Sequence, residues 1–151
     1  AELPETFTLA HLLEVAAGAM RHMLGYRFVL LGDVDALLAS NELVEMGTVL
    51  RLKRRQRHEQ LLDALMRGGQ LNARAARARS DYLFEQSELI SSGWLRAAWL
   101  RDWRDMEGVI QHYARVGLAL LEPYCTVRGR REMRRLLVER SPTSAEQRSQ
   151  L

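Results

Sequence analysis

The placement of proline constrains this chain more than any other feature of its sequence. Proline occurs only at positions 4, 123 and 142, so residues 5–122 contain no residue that must break a helix. Apolar residues in this stretch recur at intervals of three and four, and the alternation typical of a strand never persists. The sequence therefore predicts an all-α fold, an orthogonal or antiparallel bundle of five to six helices.

Capping residues and glycines divide this stretch into separate helices. Thr8 is expected to cap a first helix that stops at Gly25, and a second segment follows over 26–39. Asn41 is expected to cap a long third helix that ends at Gly68-Gly69. The remaining three helices are predicted at about 80–102, 105–122 and 127–138.

The chain length fits one domain with a core of its own, since 151 residues bury most of the apolar surface that the unfolded chain exposes. Residues 1–7 are interpreted as the remnant of a linker and residues 8–140 as the domain. Residues 141–151, which begin Ser-Pro-Thr-Ser, are predicted to be a flexible tail.

Basic residues are concentrated in two runs. Residues 128–140 hold six arginines against two glutamates, and a second basic run covers 51–57. Neither run contains an aromatic residue that could stack on a nucleic-acid base, so both are interpreted as solvated helix faces. His58 follows the second run directly and is interpreted as solvated for the same reason.

Motifs for catalysis or metal binding are not found in the sequence. The single cysteine, Cys125, excludes an internal disulfide and a thiolate-rich metal site, and is typical of a reducing compartment. Glu-x-x-His, His-Glu-x-x-His, glycine-rich phosphate loops and nucleophile elbows are also missing. No apolar run reaches the roughly 18 residues that a membrane-spanning helix needs. We therefore expect a cytoplasmic protein that is not an enzyme and that binds no cofactor, metal ion or membrane.

Methionine and aromatic side chains are frequent on several of the predicted helices. Such side chains adapt to apolar or aromatic ligands, although they are equally suited to an ordinary core, and both interpretations stay open. The residues predicted to line a ligand pocket are Met20, Met23, Tyr26, Phe28, Met46, Leu50, Phe84, Trp94 and Tyr113.

The fourth and fifth predicted helices are apolar around most of their circumference. Such a helix must be covered on more than one side, either as the central helix of a bundle or by self-association. Two adjacent helices of this kind favour a symmetric dimer with a four-helix interface. The residues predicted to form this interface are Leu83, Ile90, Gly93, Ala97, Ile110, Gly117 and Leu121.

Several segments carry a family likeness over roughly residues 8–137. They are Tyr26-Arg27-Phe28, Gly32 to Leu38, Asn41-Glu42-Leu43, Arg51 to Gln56, Leu61-Leu62, Gly68-Gly69-Gln70-Leu71, Gly117 to Tyr124, and Arg128-Gly129-Arg130-Arg131. In these segments the chain resembles the C-terminal, ligand-binding and dimerisation domain of TetR/AcrR-type bacterial transcriptional repressors.

This resemblance implies a homodimer that binds a small apolar or aromatic effector between the first, third, fourth and fifth helices. Family members read DNA through an N-terminal helix-turn-helix domain. Because this sequence starts at Ala1 with Leu3-Pro4 close behind, we expect DNA contact only through a domain that is missing from this chain. The alternative is a helical bundle unrelated to transcription that binds a cofactor or metal ion, or acts as an enzyme.

Overall fold

The computed structural model describes residues 3–26, 40–100 and 104–138. Within these ranges the chain forms six α-helices, which confirms the predicted all-α class. They are α1 (Leu9–Leu24), α2 (Asn41–Arg67), α3 (Ala73–Arg77), α4 (Ser80–Trp99), α5 (Met106–Ala119) and α6 (Val127–Val138). A 3₁₀ turn over Glu122–Tyr124 joins α5 to α6, and Leu71 pairs with Cys125 in an isolated antiparallel bridge. The predicted segment over 26–39, apart from Tyr26, and the predicted tail over 141–151 lie outside the described residues.

Side-chain caps determine where the helices begin. The Thr8 side chain accepts a hydrogen bond from the His11 amide while the His11 ring accepts one from the Thr8 amide, a reciprocal capping box at the start of α1. At α2 the predicted cap is wrong by one residue, because Ser40 accepts from the Leu43 amide and Asn41 is already helical. Asp105 caps α5 in the same way by accepting from the Gly108 amide.

The central helix of the bundle is α5. It packs most extensively against α1 and also contacts α4 and α6, while α2 packs on α4. Its side chains Val109, Ile110, Ala114 and Leu118 are almost completely buried. Helices of the same chain therefore cover most of the apolar surface of α5, as in the first of the two explanations that the sequence left open, while Met106 and Val116 each remain 38% exposed.

The turn between α2 and α3 holds α6 against the bundle. The Thr126 amide and hydroxyl donate hydrogen bonds to the carbonyl oxygens of Gln70 and Gly69, respectively. A Cβ atom at Gly129 would lie only 2.1 Å from the Gln70 carbonyl oxygen, so only glycine allows this approach. The start of α6 is thus fixed against the end of α2.

The first part of α2 lies on the outside of the molecule. Residues 41–54 are all exposed, and the buried residues Leu62, Ala64 and Leu65 lie near the other end of the helix. Three ion pairs connect α2 to α4, namely Arg51 with Glu85, Arg54 with Glu88, and Arg55 with Asp81. Each pair is largely solvent-exposed, so these contacts orient α2 more than they stabilise it.

Candidate ligand-binding cavity

A cavity of about 130 Å³ lies between α1, α2, α4 and α5. Most of its wall is aliphatic, and all four helices contribute to it. The aliphatic wall includes Leu12, Leu13, Ala16 and Met20 of α1, Leu61, Leu62 and Leu65 of α2, Leu83 and Ile90 of α4, and Ala114, Gly117 and Leu118 of α5, with Leu120 and Leu121 directly after it. Such a wall favours an apolar occupant.

Three polar side chains interrupt this aliphatic wall, and they are His58 of α2 and Ser87 and Ser91 of α4. Among the described residues that line the cavity, none is Asp, Glu, Lys or Arg. An ionised ligand would lose its hydration here without gaining an opposite charge, so the cavity favours a neutral molecule.

His58 is the most unusual residue of the wall. Its ring lies edge-on to the ring of Phe84, with 5.6 Å between the two centroids. Its Nε2 atom is buried and has no hydrogen-bond partner within the described part of the protein. Burial lowers the pKa of His58 below its ordinary value, an effect that Glu59 opposes and Arg55 reinforces. The imidazole is therefore neutral at neutral pH.

Ser87 supplies a hydrogen-bond acceptor in the same wall. Its hydroxyl donates its proton to the carbonyl oxygen of Phe84 at 2.7 Å. Because a hydroxyl has one hydrogen and two lone pairs, Ser87 can then only accept a further hydrogen bond. Both polar groups thus adjoin the same residue, since His58 contacts the ring of Phe84 and Ser87 its backbone.

Phe84 itself supports the wall from behind. It is almost fully buried on the side of α4 that meets α2. The guanidinium carbons of Arg51 and Arg55 lie 5.7 and 5.6 Å from its ring centroid, within the distance of a cation–π contact. The two arginines and His58 together fix the ring, so Phe84 positions His58 without lining the cavity.

The structure places the predicted pocket residues in several different environments. Met20 lines the cavity, and Met23 is half-buried against the core. Trp94 is buried elsewhere in the core, where its ring centroid lies 6.3 Å from that of the half-buried Tyr113. Of these four side chains, Met20 is the one that faces the cavity.

Three further predicted pocket residues are not brought to the cavity. Met46 and Leu50 lie on the outer part of α2, where 53% and 48% of their surfaces are exposed. They share a helix with the cavity residues, but they lie too far along its axis to reach the wall. Tyr26, just after α1, is exposed as well. Phe28 lies outside the described residues.

The predicted interface residues are also distributed differently from the expectation. Leu83, Ile90, Gly117 and Leu121 line the cavity, and Ile110 is only 1% exposed within the core. These residues face the cavity or the core because this side of α4 is turned towards the interior and because α5 is the central helix of the bundle.

Two residues of the predicted interface do lie towards the outer surface. Gly93 is exposed and Ala97 is half-buried. They continue the outer face of α4 that carries Tyr82 and Leu89, which are 65% and 71% exposed.

The sequence contains a pattern that predicts a buried position for His58, although His58 directly follows a basic run. His58 precedes Leu61 by three residues and Leu62 by four, so all three share one face of α2. The interpretation of His58 as a solvated residue is wrong, because its side chain is half-buried against the ring of Phe84 and its Nε2 atom is buried.

Among residues 3–26, 40–100 and 104–138, no cluster of three or more His, Cys, Asp or Glu side chains is arranged to hold a metal ion. None of the helices described is both long enough and apolar enough to cross a membrane.

A helical bundle with an uncharged cavity between four of its helices defines the class of this protein as an all-α domain with a pocket. The chain matches the family model described as TetR, bacterial transcriptional repressor, over residues 1–133. It therefore belongs to the TetR family of bacterial transcriptional repressors, which confirms the resemblance that its helical segments carry. The searches of curated proteins and of solved structures each gave no match.

Proposed function

We propose that this chain is the effector-sensing and dimerisation domain of a TetR-family transcriptional repressor. The observation that carries the proposal is the uncharged, largely aliphatic cavity between four helices. In a member of a repressor family, a cavity of this kind is suited to a small apolar or aromatic effector. The protein then acts in the cytoplasm and not as an enzyme, and DNA is contacted through a helix-turn-helix domain distinct from these helices.

In this proposal α1 transmits the binding of the effector. Four residues of α1 line the cavity, and Arg21, directly after the last of them, forms an ion pair with Glu107 of α5. An occupant of the cavity must therefore push on α1 or fit beneath it. The ligand acts as a switch only if it binds two arrangements of α1 with different affinity.

The outer face of α4 is the proposed contact between two copies of the chain. Tyr82 and Leu89 expose large side chains there, and Trp99 and Leu100 continue the apolar surface at the end of the helix. A Cβ atom added at Gly93 would meet nothing within 4 Å, which leaves space for the backbone of a neighbouring helix. Exposed apolar surface of this extent is typical of an interaction site.

Sedimentation equilibrium tests the dimer. We expect a mass of twice 17.3 kDa at micromolar concentration, and we expect Leu89→Glu to shift the protein to the monomer. Leu52→Glu is the matched control, because Leu52 is also an exposed leucine of a helix but lies on α2. A wild-type protein that stays monomeric, or equal dissociation by both variants, would contradict the proposed interface.

The sensing role has its own test. A thermal-shift screen with uncharged small molecules should find compounds that raise the midpoint of unfolding, because a ligand that binds only the native state stabilises it by mass action. Substitution of a cavity residue, such as Ala114→Leu, should abolish the shift by filling the space. Persistence of the shift in that variant would place the ligand elsewhere.

A further inference from the structure

We propose that the exposed side of α6 binds the phosphate backbone of double-stranded DNA. Five arginines form this side, which we call the arginine face: Arg128, Arg130, Arg131, Arg134 and Arg135. The inference goes beyond the proposed function, in which a separate helix-turn-helix domain reads the operator. The arginine face adds contacts to phosphate groups that do not depend on the base sequence.

The two sides of α6 differ completely in their side chains. Met133 and Leu136 are buried against the bundle, whereas the exposed residues of α6 between 128 and 135 are all arginines. The acid within this stretch, Glu132, is half-buried and accepts a hydrogen bond from the Ala10 amide at the start of α1. The arginine face is therefore held rigidly by its own helix and contains no carboxylate that neutralises it.

The two basic runs of the chain look alike in the sequence but differ in their ion pairs. On α2, three arginines each pair with an acid of α4. In the part of the chain that the structure describes, no ion pair includes an arginine of the arginine face. Arg130 and Arg134, and likewise Arg131 and Arg135, are instead like charges four residues apart, which repel each other. An anionic partner would relieve this repulsion.

Duplex DNA has the charge density that the arginine face requires. It carries one negative charge for about every 1.7 Å of its axis, and the arginine face extends for about 10 Å along α6, so the two surfaces can form several contacts. The planar guanidinium group binds phosphate oxygens through two parallel hydrogen bonds. Because the chain belongs to a family of transcriptional repressors, DNA is also the polyanion on which such a protein acts.

Two other anionic partners suit this surface less well. A helix that lies on a membrane inserts its apolar side into the lipid, but the apolar side of α6 is buried in the bundle. A protein interface usually has an apolar centre, which the exposed surface between residues 128 and 135 does not offer. The missing aromatic residues, on which the interpretation as a solvated face rests, preclude stacking on bases but do not affect phosphate contacts.

Fluorescence anisotropy of a short labelled duplex, titrated with the full chain at several salt concentrations, tests the arginine face. We expect the logarithm of the association constant to fall linearly with the logarithm of the salt concentration, because each phosphate contact releases counterions. The double variant Arg131→Gln, Arg135→Gln should weaken binding and make this slope shallower by about 2, since each arginine contributes about one. A second duplex of unrelated sequence should bind with the same Kd.

The matched control is the double variant Lys53→Gln, Arg104→Gln, which lowers the net charge by the same amount. Both residues are exposed, and neither takes part in an ion pair with another described residue. We expect this variant to keep the slope of the wild type. Since all four positions are exposed, both double variants should also keep the unfolding midpoint of the wild type, which thermal unfolding checks.

Several results would overturn the arginine face. They are a wild-type chain that does not bind the duplex at low salt, an equal change of slope in both double variants, and tighter binding to polyglutamate or to phosphatidylserine vesicles than to the duplex. A strong preference for one of the two duplexes would contradict contact with phosphates alone. The thermal-shift screen tests the sensing function separately, so that function stands or falls independently of these results.

Discussion

Two helices that look alike in the sequence, α4 and α5, differ in how they are covered. Both are apolar around most of their circumference. In the structure α5 packs against α1, α4 and α6 and buries most of its apolar surface, whereas α4 turns one apolar face inward and exposes another that carries Tyr82 and Leu89. The apolar circumference of a helix therefore indicates how much surface must be covered, but not whether the same chain or a second copy covers it.

The largest effect should come from a truncation in α5. Ile110→Ala is expected to lower the free energy of unfolding by about 2 to 5 kcal/mol, because Ile110 is 1% exposed and the cavity left behind cannot collapse fully. Leu89→Ala on the outer face of α4 should change it by less than about 0.5 kcal/mol at concentrations where the protein is monomeric. Denaturant titration measures the free energy of unfolding of both variants. Equal losses of stability would contradict the difference in burial between the two helices.

Smaller effects on stability and self-association are expected when the glycine of each helix, Gly93 of α4 or Gly117 of α5, is replaced by alanine. A Cβ atom would meet nothing within 4 Å at Gly93 of α4 or at Gly117 of α5. Each substitution by alanine should therefore stabilise the protomer by up to about 1 kcal/mol through helix propensity. Gly93→Ala should in addition weaken self-association, whereas Gly117→Ala should not. Sedimentation of both variants measures their self-association. If Gly117→Ala alone associates more weakly, the dimer contact lies on α5 and not on α4.

The smallest effect concerns the inner face of α4, where His58 meets Phe84. Burial lowers the pKa of His58 in the folded protein, so the unfolded chain takes up a proton at a higher pH than the folded one. The stability due to the neutral ring is thus present above pH 6.5, the ordinary pKa of histidine, and is lost progressively as the pH falls below it. Unfolding measured between pH 7.5 and 5 should show this loss.

The matched comparison for this pH dependence uses two histidine variants. His58→Leu should remove part of the loss of stability on acidification, while His22→Leu, on the exposed side of α1, should retain all of it. The reverse ranking of the two variants would contradict the neutral, buried state of His58.

Helix boundaries could be predicted closely because they depend on neighbouring residues. The Thr8 cap, the stop at Gly25 and the range Val127–Val138 agree with the sequence interpretation, and the cap of α2 differs from it by one residue. These features arise from local hydrogen bonds between side chains and the backbone, which a short stretch of sequence specifies.

The residues that line the cavity could not be predicted in the same way, although the family resemblance implies a binding site between the same four helices. Periodicity groups residues onto one face of a helix, but it does not reveal which helix that face meets. The sequence therefore predicts Leu83 and Ile90 at a dimer interface, whereas they line the cavity. It predicts large side chains such as Trp94 in a pocket, whereas Trp94 is buried in the core. The space remains where smaller residues such as Ala16, Ala114 and Gly117 face one another.

The double role of α1 has a consequence for how solvent reaches the interior. One side of this helix shields α5 and the same side forms part of the cavity wall. Because Ala114, Gly117 and Leu118 of α5 also line the cavity, a guest molecule there lies against α5 as well as α1. Occupancy of the cavity and protection of the α5 amides from hydrogen exchange are thus expected to rise and fall together.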